Sequence, residues 1–359
     1  MKNNALKSVL AVILGLIAGV LLMAAMGHNP VEGYRFLLKG ALSSTERIAN
    51  TVGTATPLIL TGLSVGFAFR TGLFNIGTPG QMLFGGFTAT AIALTCTSLP
   101  RPLLLILIIV SGLLAGALSG GLVGFMKAKF NVHEVVGSIM LNWTAYWIVY
   151  YMIPKYFKAE SVETESRQIS TVASLKAEWL TKALDGSFLN YGILIAVLAV
   201  TVIWFILDKT TLGYQLKAVG FNKDAAEYAG INVNINVVLT MMIAGSLSGL
   251  AGVCQYIGNA TCMQIGVMPS QGFDGIAVAL LGNSNPLGIL ISALFFGLLY
   301  AGKGFMTTMA SIPPEIADTI MAIIIYFAAT SMIFDKIFAK FKRKKKNTKM
   351  GAKEEKATC

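Results

Sequence analysis

Charge is scarce in this sequence: 13% of its 359 residues are Asp, Glu, Lys or Arg, about half the share of an ordinary soluble domain. A chain so poor in charge does not present the surface of a soluble globular protein. Histidine is scarcer still. Only His28 and His133 occur, and neither has a partner at metal-site or triad spacing. No GxxxxGK[ST] phosphate loop, HExxH pair or Asp-rich diphosphate motif is present, which removes the enzyme classes built on them. The four cysteines, Cys96, Cys254, Cys262 and Cys359, follow no metal or disulfide pattern and fix no redox compartment. Carboxylates are nearly missing from the middle of the apolar runs; Glu134, Asp274, Glu315 and Asp318 all fall near run ends. Ion-coupled carriers usually need intramembrane carboxylates or unwound ion sites, so a self-powered carrier is disfavoured.

Apolar residues fill the space: 55% of the chain is hydrophobic and glycine occurs 37 times, as in membrane helices. Apolar runs over residues 6–26, 51–69, 80–97, 103–125, 135–153, 191–207, 236–257, 287–302 and 316–334 approach the length that crosses a bilayer. Residues 272–281 form a tenth, shorter segment ended by the turn Gly282-Asn283-Ser284-Asn285-Pro286; a short broken helix at membrane depth must sit inside protein or beside a watery cavity. The expectation is an all-α polytopic helical bundle of about ten transmembrane segments. Pro57 is expected to break the second near its start. Residues 28–50 read as an amphipathic stretch along the outer interface. Gly112, Gly116, Gly120 and Gly124 recur every four residues, leaving one bare helix face for close packing.

Positive charge orients the bundle. Lys2 and Lys7 precede the first run, which lacks a small-residue cleavage site and reads as an uncleaved helix. With the N-terminus inside, Lys127, Lys129, Lys209, Lys217 and Lys223 also fall inside, and the balanced loop at about 154–190 falls outside. From 335 to 359 ten Lys/Arg face three Asp/Glu, supplying +7 of the net +11. Such a run after a last span marks a cytoplasmic end attracted to anionic lipid rather than nucleic acid. The division is a transmembrane domain over 1–335 and a basic tail over 336–359, with both termini cytoplasmic.

The longest polar interruption suited to compact helices is 212–231, LGYQLKAVGFNKDAAEYAGI, within a cytoplasmic segment at about 208–235. Asn222 is a natural N-cap, Asp224 lies in the first turn, Ala225, Ala226 and Ala229 favour helix, and Gly230 can close it left-handed. A helix of about two turns held at a membrane surface invites a partner. Mid-membrane polar candidates are Thr61, Ser64, Asn142, Thr144, Ser246, Ser248 and Gln255, an uncharged set suited to an uncharged, hydrogen-bonding solute or to helix–helix bonds. Trp143 and Tyr146 fit ring stacking or interfacial anchoring. Asn75 reads as a cap, and Gly72, Gly77 and Gly80 as the means of a tight turn. Asp274 reads as a cap of the short helix ahead of a substrate ligand.

Four segments in order resemble the permease subunits of bacterial ABC importers in the branched-chain amino acid and simple-sugar permease group. They are PLILTGLS from Pro57 with FAFRTGLFNIGTPGQ ending at Gln81; HEVVGSIMLNW from His133; Gly213 through AVGFN at 218–222 to Ala225-Ala226 and Gly230-Ile231; and GFDGIAVALLG from Gly272 with NPLG from Asn285. Together they span about residues 50–335. The first looks most like the larger of two permeases in general nucleoside importers. Thr78-Pro79 stands where the family usually has Ala-Glu, and Lys217 where it often has Arg, keeping charge but losing bidentate geometry.

The resemblance implies a heterodimer with a second, shorter permease, a dedicated ABC ATPase and an extracellular lipoprotein that captures nucleosides, in a bacterial plasma membrane. It implies that the chain is not itself an enzyme and binds no cofactor, with ATP and Mg on the ATPase and no nucleic acid. Lys217, Ala218, Gly220, Asn222, Ala225, Ala226 and Gly230 are the expected coupling residues, and the GNSNP turn is expected to brace them. Pro57, Thr61, Asn75, Gln81, Asn142, Gln255 and Asp274 are the candidates for the substrate path. A ribose-like sugar permease is the alternative within the family; an ion-coupled carrier is the alternative outside it.

Overall fold

The computed structural model describes residues 2–160 and 162–330, with side chains from residue 7 onward. The basic tail and the end of the last expected span lie outside the described residues. Fourteen α-helices make up the described chain: α1 (Lys2–Ala25), α2 (Pro30–Leu42), α3 (Thr45–Arg70), α4 (Thr78–Thr95), α5 (Arg101–Phe130), α6 (Glu134–Met152), α7 (Glu178–Ala183), α8 (Gly192–Lys209), α9 (Thr211–Phe221), α10 (Lys223–Tyr228), α11 (Val233–Val253), α12 (Ser270–Leu281), α13 (Pro286–Ala310) and α14 (Pro314–Ala329). π-helical turns extend α6 over Ile153–Phe157 and α11 over Cys254–Asn259. As far as they are described, all ten expected segments fall largely on helices. Among the described residues six helices are long and apolar enough to cross a membrane by length and composition: α1, α3, α5, α8, α11 with its π turn, and α13. The chain is a multi-pass membrane protein.

Two boundaries correct the sequence reading. Pro57 lies inside α3, which continues through it from the Ser44 cap to Arg70. α13 runs past residue 302 to Ala310, since lysine itself favours helix and Lys303 is accommodated by pairing with Asp318 Oδ1 at 2.9 Å.

α3 is the central post. In its most apolar window 83% of residues are buried, against 22% in α1 and 33% in α5. The outer helices carry their apolar side chains outward instead. Leu103, Ile106, Val110, Leu114, Leu118 and Leu122 recur every three or four residues of α5 and are exposed, the stripe a lipid-facing helix needs. The inner face of α5 is bare. A Cβ on Gly116 would lie 2.2 Å from Gly245 O, and one on Gly249 would lie 2.1 Å from Gly112 O. Backbone therefore meets backbone along α5 and α11. α4 joins them where a Cβ on Gly252 would come within 2.1 Å of Met82 O. Dispersion and weak backbone contacts take the place of the hydrophobic effect that lipid does not supply.

The bundle has two chemically distinct ends. At one, Arg70 Nε donates to Ser284 O at 2.9 Å and Ser8 Oγ to Leu281 O at 2.7 Å. This joins α1, α3 and the turn after α12. At the other, Asn50 Oδ1 accepts from Ser187 Oγ at 2.8 Å and from the Phe188 N–H at 3.0 Å. The long loop before α8 lies over this Asn50 end, where its backbone bonds to residues 257–265 through Ser166, Ile169 and Leu175. α2 packs against α13, where Leu37 O closely approaches Gly302.

Candidate functional site

The expected path and coupling residues separate into three places. Asn75, Gln81 and Asn142 come together in a buried knot at the turn between α3 and α4. Asn75 Nδ2 donates to Ser64 Oγ at 3.0 Å and to Gln81 Oε1 at 2.9 Å, while Gln81 Nε2 donates to Asn75 Oδ1 at 3.1 Å. Ser248 Oγ donates to Ser64 Oγ at 2.8 Å, which brings in α11. Asn142 accepts from the Gly80 N–H at 3.0 Å and donates to Ile76 O at 3.0 Å. Each amide thus bonds within the protein, and the knot fixes an irregular loop inside the bundle.

One expectation for this loop holds and one changes. Asn75 caps the turn, its Oδ1 accepting from the Gly77 N–H at 3.1 Å, while Gly77 itself precedes α4 without a side-chain cap bond. Of the three glycines only Gly72 is left-handed, at φ +71. Gly80 supplies room, since a Cβ there would lie 2.5 Å from Asn142 Oδ1.

Asn75→Ala is expected to lower the stability of the purified protein by about 2–4 kcal/mol, because Ser64, Gly77 and Gln81 each lose a buried partner. A thermal midpoint within a degree of wild type would show that the knot is not holding the loop.

At the Arg70 end the segment 208–235 folds as two short helices. α10 has the expected cap, Asn222 Oδ1 accepting from the Ala225 N–H at 3.0 Å, and Gly230 closes it at φ +83. α9 precedes it, capped by Thr210. Two of the small residues meet the bundle: Ala226 is buried, and a Cβ on Gly220 would lie 2.3 Å from Arg70 O, while Ala225 and Gly230 are exposed. Lys217 Nζ is tied to Asp208 Oδ1 at 2.7 Å, and Ala218 O accepts the Asn222 N–H. Outward stand Phe221, 91% exposed, and Tyr228, 98% exposed, on either side of α10. The GNSNP turn reaches the segment indirectly, by holding Arg70 at the end of α3.

The third place is the Asn50 end. Proline has no N–H, so Pro57 leaves the carbonyl four residues earlier without its helical bond. That carbonyl is Gly53 O, and Asn259 Nδ2 donates to it at 3.0 Å. Asn259 Oδ1 in turn accepts from Asn190 Nδ2 at 2.9 Å. Two cavities meet here, of about 240 and 620 Å³, sharing Gln255, Asn259, Ala260 and Gln271. Thr61 lies two turns inward from Thr54 on α3, buried against Gly275 of α12. Asp274 faces away, toward α13, where Tyr300 Oη donates to its Oδ2 at 2.7 Å. It caps nothing, since α12 begins at Pro269 and Ser270, a turn earlier.

Sequence reasoning found Gln255 but missed Asn259, Gln271, Phe221 and Tyr228. The first two adjoin the Gly258 and Gly272 positions where the backbone packs closely; the aromatic pair flanks the expected α10.

Residues 47–329 match the family model described as branched-chain amino acid transport system / permease component. The chain belongs to this family. The permease is 39% identical to the nucleoside ABC transporter permease protein NupB of Lactococcus lactis subsp. cremoris, over 99% of this chain and all of that one. It is also 39% identical to the guanosine ABC transporter permease protein NupP of Bacillus subtilis, over 96% of this chain and 99% of that one. A different permease of the same Lactococcus, the nucleoside ABC transporter permease protein NupC, is 27% identical over 70% of this chain and 80% of its own length. The family and these relatives are transport components rather than enzymes.

Proposed function

We propose that this permease forms one half of the membrane path of a nucleoside ABC importer. The observation that carries the reading is the end-to-end similarity to NupB and NupP. The weaker, shorter match to NupC from the same organism as NupB supports a heterodimer of two related permeases. A partner ATPase binds ATP and Mg and docks at α9–α10, while an extracellular binding lipoprotein delivers the nucleoside at the Asn50 end. Lys127, Lys129, Lys209, Lys217 and Lys223 belong to elements of the Arg70 end, so the positive-inside rule makes that end cytoplasmic and carries both termini there. The segment from Asn259, beside Gly53, to Ser284, beside Arg70, joins the two ends. Counting it as a crossing gives ten. The chain itself supplies no chemistry; its work is to open one end and then the other as the ATPase closes.

Reconstitution with the second permease, the ATPase and the lipoprotein tests the assignment. ATP-dependent uptake of labelled guanosine is expected. Uptake of ribose with no uptake of any nucleoside would overturn the substrate, and uptake by this chain alone on an ion gradient would overturn the ABC mechanism.

A further inference from the structure

We propose that Gln255, Gln271 and Phe188 form a subsite that reads a neutral nucleoside at the Asn50 end, with Asn259 as its positioning residue; the proposal rests on the nucleoside reading above. The smaller cavity is lined by Thr54, Phe188, Gln255, Asn259, Ala260 and Gln271. None of these residues is ionisable, so the lining carries no charge to match a phosphate or an ammonium group. It offers one aromatic ring and three carboxamides. Gln271 makes no side-chain hydrogen bond among the described residues. Gln255 has only the 3.5 Å approach of Asn259 Nδ2 to its Oε1, which leaves its own amide donors uncommitted. A carboxamide presents a donor and an acceptor side by side, the pattern that pairs with a nucleobase edge or with ribose hydroxyls. A base face stacks on an aromatic ring for about 1–3 kcal/mol.

The surroundings hold these groups in place. The Phe188 N–H is bonded to Asn50, and Gly53 leaves the space its ring occupies: a Cβ on Gly53 would lie 2.8 Å from Phe188 Cε2. Asn259 is fixed on both sides, by the Gly53 carbonyl that Pro57 frees and by Asn190. Gln255 and Asn259 share the π turn that ends α11; π turns recur where a helix must present side chains for a function. Gln271, in the first turn of α12, lines the same cavity. The 620 Å³ cavity continues beyond the four shared residues toward Lys176 and Met268. A nucleoside released above the bundle therefore has room to enter and reach the amides.

The test uses the complete importer in proteoliposomes, supplied with an equimolar mixture of labelled guanosine and uridine at saturating lipoprotein. Gln255→Ala and Gln271→Ala are each expected to reduce nucleoside carried per ATP hydrolysed about five- to tenfold, the loss of one or two hydrogen bonds. They are also expected to shift the guanosine-to-uridine ratio at least threefold. A loss of folded protein would lower both substrates equally and leave the ratio alone. Phe188→Leu is expected to cost about tenfold, and Phe188→Tyr to restore most of it. Asn259→Ala should reproduce the shift in ratio by releasing Gln255. Wild-type nucleoside uptake with rates and ratio unchanged within twofold in the Gln255→Ala/Gln271→Ala double variant overturns the subsite. Wild-type transport of ribose alone overturns the nucleoside reading instead, a result visible before any variant is made.

Discussion

Gly116→Val is expected to abolish folded protein in the membrane, while Gly304→Ala, also in a long helix, leaves it intact. The contrast follows from what each new side chain would meet. At 116 the first carbon alone would stand 2.2 Å from Gly245 O and 2.8 Å from the Gly249 backbone. A carbonyl oxygen and a helix backbone cannot rotate aside as a side chain can, so α5 and α11 must separate. Separation breaks the whole seam from Gly112 to Gly120. Overpacking in a core that can adjust costs about 1–3 kcal/mol. With backbone on both sides the cost is expected to exceed that range, about 4 kcal/mol or more, a large share of a membrane bundle's stability. At 304 nothing lies within 4 Å of the added carbon, and alanine is the better helix former by about 1 kcal/mol. The check is the thermal midpoint and the monodisperse yield of each variant after detergent extraction. A stable Gly116→Val protein would mean that α5 and α11 are not in backbone contact.

This seam was legible in the sequence as a four-residue glycine period, because one helix's geometry alone places those glycines on one face. Its partner face was not, since Gly245 and Gly249 gain meaning only when α11 lies against α5. The knot shows the same limit. Asn142 stood out as an amide within an apolar run, yet its bonds go to Ile76 and Gly80, more than sixty residues away. Sequence spacing carries no trace of that pairing. Pro57 was recognisable as an interruption, but its effect is to release the Gly53 carbonyl to Asn259 rather than to end the helix. Identity of residue predicted disturbance; only the packing decided what answered it. Terminal bounds were set by apolar content, which failed at Lys303 because a charge ends an apolar run without ending a helix.

The proposed coupling segment carries the second large effect. Phe221→Ala/Tyr228→Ala is expected to stop uptake and to release the ATPase, with the permease itself as stable as wild type. The family resemblance pointed to Gly220, Ala225 and Ala226, among others, as coupling residues. In the structure, Gly220 is pressed against the end of α3 and Ala226 is buried. Gly220→Asp or Ala226→Asp would therefore act first on how α9 and α10 sit on their own bundle. Their failure to transport would not distinguish docking from folding. Phe221 and Tyr228 offer the cleaner measurement. They are 91% and 98% exposed, so truncation removes little that the isolated permease uses. Aromatic anchors of this kind cost about 2–4 kcal/mol each when truncated at a protein interface, a loss of roughly thirty- to a thousandfold in affinity. Co-purification with the ATPase and nucleoside uptake should fall together while the thermal midpoint of the permease holds. Retained ATPase binding would place the contact elsewhere. If binding persists but uptake stops, the pair transmits the ATPase's closure without anchoring it. The capped, glycine-closed α10 would then act as a rigid lever on Arg70 and the α12–α13 turn.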